Sequence, residues 1–318
     1  CLTMLGVSLR LILLALLVLT FPTHAEDDLS AKAWLKNMSQ AMHDKQYKTS
    51  IIQLQADHIR PLVYIHGIVD NKEVALLEYL NGPPKNAVRV GNTVTFIEHD
   101  QPAYSVVAPR IQGIWPAALA GDLSQLEKGY QFVIGGRGRI AGRPGQMIRL
   151  LANDDNRYDA QVWIDMDTYL PLRFDSLNKE KQLLEQTMVI ELIELAEPAN
   201  ILIEAAKQEW PAVMNQAERT DGKNWQFTWL PEGFDVVVRD HHRLIGIHEP
   251  VEYVALTDGL ANISVYVARA GENPMPNELL IRNGLSMVVV KVGTLEVVAI
   301  GKVPSETLDK IANSLVLK

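Results

Sequence analysis

The chain has 318 residues, of which 47% are hydrophobic and 21% charged, with a formal net charge of −8 and a single cysteine, Cys1. The acidic balance argues against a nucleic-acid partner, which needs a basic surface. One cysteine at the first position leaves the rest of the chain without disulfide or thiol chemistry.

Arg10 precedes the apolar run Leu11–Leu19, and Thr23-His24-Ala25 then meets the acidic Glu26-Asp27-Asp28. A positive residue, a short apolar core and a small terminal residue predict a secretory signal peptide over 1–25, cut after Ala25. The core is shorter than the roughly 20 apolar residues of a spanning helix. Cys1 lies upstream of that cut, the wrong place for a lipid-modified cysteine, and Met4 is a candidate start. Export without cysteines fits a bacterial envelope protein held by its cores alone. About 290 mature residues suggest two such cores.

A helix opens the mature chain, with Trp34, Leu35, Met38, Ala41 and Met42 at helical spacing. Short β-branched and aromatic runs follow at Tyr47–Gln55, Leu62–Val69, Val74–Leu80, Ala87–Val90 and Val94–Glu98, separated by turn residues such as Asp70-Asn71 and Gly91-Asn92. Residues 112–128 read as partly helical. A second strand series runs from Tyr130 to about Leu195. In it Tyr158, Ala160, Val162 and Ile164 alternate with Arg157, Asp159, Gln161, Trp163 and Asp165, and Leu170, Leu172 and Phe174 continue beyond a bend. The polar stretch 205–224 reads as a linker. Beyond it, strands near Phe234–Arg239, Val251–Leu256, Ile263–Ala268, Leu285–Val292 and Leu295–Gly301 precede a helix from Pro304 that buries Leu308, Ile311, Ala312 and Leu315. The expected organisation is a first domain over 26–204 and a second over 225–318, of α+β class, the second made of antiparallel strands closed by a terminal helix.

Chemical motifs are sparse. Asp165 and Asp167 flank Met166 at the bend, where aspartates cap backbone amides, and no further carboxylate or histidine lies nearby to make a metal site. GGRGRIAGRPG, Gly135 to Gly145, contains a G-x-G-x-x-A match, but Gly142, Pro144 and Gly145 forbid the helix that a dinucleotide fingerprint needs. It reads as a hairpin. Arg137, Arg139, Arg143, Arg149 and Arg157 lie in the same region as a candidate cationic strip for an anionic headgroup or acidic peptide, against the alternative of a solvated strand face. His241, His242 and His248 lack a third ligand at zinc spacing. Ser286 lacks the elbow context of a nucleophile, and His66 with Asp70 has no serine in a motif context. The residues therefore point to recognition, with no catalytic group, metal or cofactor.

Several segments resemble the RseB/MucB family. They are Arg139–Arg143 with Met147–Leu150, Arg157-Tyr158 through Asp165 with Leu170–Arg173, Leu184–Gln186, Trp229–Phe234, Thr257–Leu260 with Val265–Ala270, and Gly301–Pro304. Together they span nearly the whole mature chain in order. The resemblance implies a strongly curved antiparallel half-barrel sheet covered by helices, as in LolA and LppX, followed by a smaller α/β domain. It also implies a periplasmic regulator that binds the periplasmic domain of a membrane-bound, RseA/MucA-like anti-sigma factor and shields it from proteolysis. Lipid, lipopolysaccharide or lipoprotein acyl chains would relieve the shielding, and self-association is left open. Candidate lipid contacts are Tyr158, Val162, Ile164, Leu172 and Phe174; candidate anion contacts are Arg137, Arg139, Arg143 and Arg149. A periplasmic lipid or lipoprotein carrier of LolA type is the rival reading.

Overall fold

Apolar alternation and two-residue turns build most of the first half. The computed structural model describes residues 29–55, 58–213, 225–242, 251–270, 279–282 and 284–317. The expected leader, His248 and residues 214–224 of the expected linker lie outside them. Helix α1 (Ala31–Asp44) buries Ala31, Trp34, Leu35, Met38 and Ala41, a stripe at helical spacing. Strands β1 (Tyr47–Gln55), β2 (His58–Val69), β3 (Lys72–Tyr79), β4 (Lys85–Val90), β5 (Thr93–Glu98) and β6 (Gln101–Val107) form a meander. A 3-10 turn at Ala117–Ala120 and helix α2 (Ser124–Gly129) lead to a second meander, β7 (Tyr130–Ile140), β8 (Arg143–Ala152), β9 (Asp159–Asp165), β10 (Pro171–Leu177) and β11 (Leu183–Glu194). Helix α3 (Asn200–Lys207) follows.

The β1–β11 pair joins the meanders into one eleven-stranded antiparallel sheet, ordered β6-β5-β4-β3-β2-β1-β11-β10-β9-β8-β7. A sheet this wide stays stable only by coiling or by being covered on its faces, and both faces carry cover. On one, Ile51, Leu62, Leu77, Ala87, Val94 and Val189 pack beneath Ile111 and Ile114. On the other, Ile65, Val74 and Val88 pack beneath Leu202 and Ala205 of α3.

The second half contains β12 (Trp225–Phe227), β13 (Asp235–His242), β14 (Val251–Thr257), β15 (Asn262–Arg269), β16 (Leu279–Arg282), β17 (Leu285–Val292), β18 (Leu295–Gly301), α4 (Ser305–Asn313) and β19 (Leu315–Leu317). Six of these strands form a sheet ordered β13-β14-β15-β18-β17-β16, and β12 pairs with β19. Helix α4 lays Leu308, Ile311 and Ala312 on a core that includes Val265, Val288, Val297 and Ala299. The α+β class and the terminal helix agree with the sequence reading. Elements not anticipated are β6, which contains Pro102, α3, which runs across the expected start of the linker at 205, the short strands β12 and β16, and β19, which takes Leu315 out of the expected terminal helix.

Candidate functional site

The Asp165-Met166-Asp167 bend is the end of β9 and the start of the turn to β10. Asp165 is fully buried; its Oδ2 accepts hydrogen bonds from Thr168 Oγ1 at 2.6 Å and Arg143 Nε at 2.9 Å, while Asp167 is exposed. The two carboxylates face different surroundings and do not converge. Among the described residues no group of three or more His, Cys, Asp or Glu side chains could hold a metal ion.

The glycine-rich stretch is a hairpin. Ala141 (φ 51°) and Gly142 (φ 77°) form its two-residue turn between β7 and β8, where a nucleotide fingerprint would open a helix. Gly138 leaves room for Trp163, since a Cβ there would lie 2.9 Å from the indole ring.

The expected lipid trough is a packed core in this structure. Val162, Ile164 and Leu172 are 0% exposed and Phe174 3%, so none of them lines an opening. The inner face, the one beneath Ile111 and Ile114, has its cover held by polar contacts: Gln53 Nε2 donates to the carbonyls of Gly113 at 2.6 Å and Ile114 at 3.3 Å. Leu172 also departs from the simple alternation. The β9–β10 register shifts between Pro171 and Arg173, and a Cβ at Gly145 would sit 3.5 Å from Leu172 Cδ1 and 3.4 Å from the Trp163 ring, so these two side chains are neighbours. Tyr158 is half-buried, and burial raises its hydroxyl pKa. A cleft of ≈ 630 Å³ lies elsewhere, along β6, lined by Gln101, Pro102, Ala103, Tyr104, Pro211 and Ala212.

The cationic strip does not exist as one surface. Arg137 and Arg139 oppose Gln146 and Pro144 and share their face, whereas Arg143 and Arg149, odd residues of the same strand β8, belong to the other. Arg137 Nε donates to Gln146 Oε1 at 3.1 Å, and Arg143 pairs with Asp165 and Glu194. Arg157 leaves the strip altogether. It is buried and ion-paired to Asp154 and to Asp258 of the second half. Strand periodicity assigns a residue to a face but does not say what packs against that face, so the sequence held no direct signal for this role.

A second polar cluster also escaped the sequence reading. Glu73 receives His43 Nδ1 at 2.7 Å and pairs with Arg89, while His66 Nε2 stands 3.8 Å away, too far for a hydrogen bond. Burial alone would push the Glu73 carboxyl up; the His43 bond and the Arg89 charge outweigh it and hold it well below the usual carboxylate range. The same bond raises His43 above its ordinary 6.5, against burial.

Both halves of this architecture match one family. The MucB/RseB N-terminal domain matches residues 30–214 and the MucB/RseB C-terminal domain matches residues 219–316. Relatives include "Sigma-E factor regulatory protein RseB" of Salmonella typhimurium, 30% identical over 93% of this chain and 94% of its own length. "Sigma factor AlgU regulatory protein MucB" of Pseudomonas aeruginosa is 27% identical over 96% of each chain. Among solved structures, MucB in the Pseudomonas aeruginosa MucA/MucB complex superposes with a TM-score of 0.73 at 24% identity, covering 91% of this chain and 99% of that one. MucB crystallised alone gives a TM-score of 0.60. The class is that of two-domain proteins with a MucB/RseB N-terminal and a MucB/RseB C-terminal domain. The chain belongs to the MucB/RseB family.

Proposed function

We propose that the protein is a periplasmic regulator that binds the periplasmic part of a membrane-bound anti-sigma factor and shields it from regulated proteolysis. Family membership across both halves carries this reading. It is supported by relatives that are sigma-factor regulatory proteins and by the fold shared with MucB bound to MucA. The expected leader over 1–25 supports export to the periplasm. The protein acts by recognition rather than by catalysis. Its test is calorimetric titration of the purified chain with the periplasmic segment of the anti-sigma factor from the same organism; a complex of micromolar affinity or tighter is expected. Absence of association at those concentrations removes the reading.

Relief by lipid, lipopolysaccharide or lipoprotein acyl chains belongs to the same proposal and acquires a condition. Burying an acyl chain yields about 0.8 kcal/mol per methylene, and reversing a two-state equilibrium takes about 5.5 kcal/mol of differential affinity. The chain must therefore displace the Ile111–Trp115 cover to reach the inner face. A constitutive carrier would hold that interior open, which the packed positions of Val162, Ile164 and Leu172 do not favour.

A further inference from the structure

Three stretches that carried the family resemblance, Arg157-Tyr158, Trp229–Phe234 and Thr257–Leu260, lie far apart in sequence and converge at one place between the two sheets. Arg157 is at the centre. Its Nη1 donates to Asp258 Oδ2 at 3.1 Å, its Nε and Nη2 to Asp154 at 3.0 Å, and its Nη2 also to the Glu232 carbonyl. The guanidinium lies 5.5 Å from the Tyr130 ring and 5.1 Å from the Phe234 ring, one from each half. Tyr130 donates its hydroxyl to Asp258 Oδ2 at 3.0 Å, and Gln125 Nε2 reaches the carbonyls of Gly233 and Thr257. Asp258 is held in turn by the amides of Leu260 and Ala261, at 3.0 and 2.8 Å. Glycines make room here: a Cβ on Gly129 would overlap the Arg157 guanidinium, and one on Gly259 would overlap Ala118, whose amide donates to the Gly259 carbonyl across the halves at 3.2 Å. A second contact joins the same halves through the Lys302–Glu185 ion pair and the packing of Gly284 on Leu184.

The chemistry of this joint differs from that of the cores beside it. The second half's core draws its buried side chains from Trp225 to Leu315, and the inner-face core of the first from Ile51 to Val189. The joint is built on a guanidinium, carboxylates, a phenol, an amide and main-chain carbonyls. A buried ion pair adds little net stability over apolar packing, yet removing one partner strands a charge. Parting such a surface rehydrates charges, whereas parting an apolar core would expose grease. We propose that Arg157 and Asp258 form a clasp that holds the two halves in one arrangement and can open with each half still folded. Resting on the proposed function, the clasp further sets the arrangement in which both halves meet the anti-sigma segment.

Hydrogen exchange on the full chain tests this, comparing the native sequence with Asp258→Asn and Tyr130→Phe. Exchange is expected to rise in Asp258→Asn at 125–130, 231–234 and 257–261 while β2, β8, β15 and β18 keep their protection. Tyr130→Phe, which loses one hydroxyl, is expected to show the same pattern at smaller amplitude, and it decides the matter should Asp258→Asn fail to fold. Joint segments as slow as in the native chain, or acceleration spread through the core strands, overturns the clasp. In a separate arm, titration with the anti-sigma segment is expected to weaken about tenfold or more in Asp258→Asn; unchanged affinity overturns the coupling to the partner. A native chain that binds no segment overturns the proposed function instead, and the exchange arm still judges the clasp.

Discussion

Glu73 shows how much one side chain can hold together across elements. It stands on β3, receives His43 from α1 and pairs with Arg89 from β4. Because the folded His43 pKa is raised above 6.5, its stabilisation is fully present below that value and is lost as pH rises through the folded pKa. The depressed Glu73 carboxyl contributes in the opposite sense: its share is present above the ordinary carboxylate range and fades only in strong acid. Within this pair, the slope between mildly acidic and mildly alkaline pH therefore comes from His43. Glu73→Gln is expected to cost about 1–3 kcal/mol, the scale of a hydrogen bond to a charged group, and to flatten the decline of the urea midpoint above pH 6.5. An undiminished slope in the variant would locate the titration elsewhere. Gly138 gives a steric counterpart. Gly138→Ala drives a methyl against the Trp163 ring at 2.9 Å and is expected to lower stability by about 1–3 kcal/mol in thermal unfolding, the usual cost of overpacking.

At the scale of elements, the segment Ile111–Trp115 is held by few contacts that single substitutions can remove. Two isoleucines seat it in the core, and Gln53 ties down the carbonyls of Gly113 and Ile114. Gln53→Ala removes those bonds and leaves acceptors facing the gap, a loss of about 1–3 kcal/mol. If acyl chains enter beneath this cover, the variant should bind a fluorescent fatty-acyl probe more tightly than the native chain; equal or weaker binding would show that the cover is not the gate. Strands such as β1 were legible with their bounds, since Tyr47, Thr49, Ile51 and Gln53 alternate cleanly with half-exposed neighbours. The α3 helix was not, because its eight residues bury only Leu202 and Ala205, too short a stripe to give a period. Strand β6 hid behind Pro102, which is tolerated there because β6 is an edge of the sheet. The Leu172 bulge is invisible to alternation, since a bulge is a property of two paired strands and not of one.

For the whole molecule, the sequence disclosed two cores and a family but not the joint between them. Arg157 read as one more cation on a strand face, because nothing in the sequence around it announces Asp258, 101 residues away, and it lies just before β9 rather than in it. Residues 31–318 nevertheless behave as one compact unit, and the two contacts across the joint make a prediction about how that unity is maintained. Lys302 pairs with Glu185, and burial together with Arg60 lowers its pKa, so Lys302→Met removes an ion pair while keeping much of the apolar stem. If the contacts close together, as parts of one opening equilibrium, loss of this pair raises the open population everywhere along the joint. Exchange should then accelerate at Gly129, Tyr130 and Asp258–Ala261, none of which touches Lys302. In a double-mutant cycle with Asp258→Asn, the two effects on joint protection should add while the molecule stays mostly closed and saturate once it is mostly open. Acceleration confined to the neighbourhood of Glu185 and Lys302 would mean instead that the two contacts are independent local bonds, and that the halves are held by something other than a shared clasp.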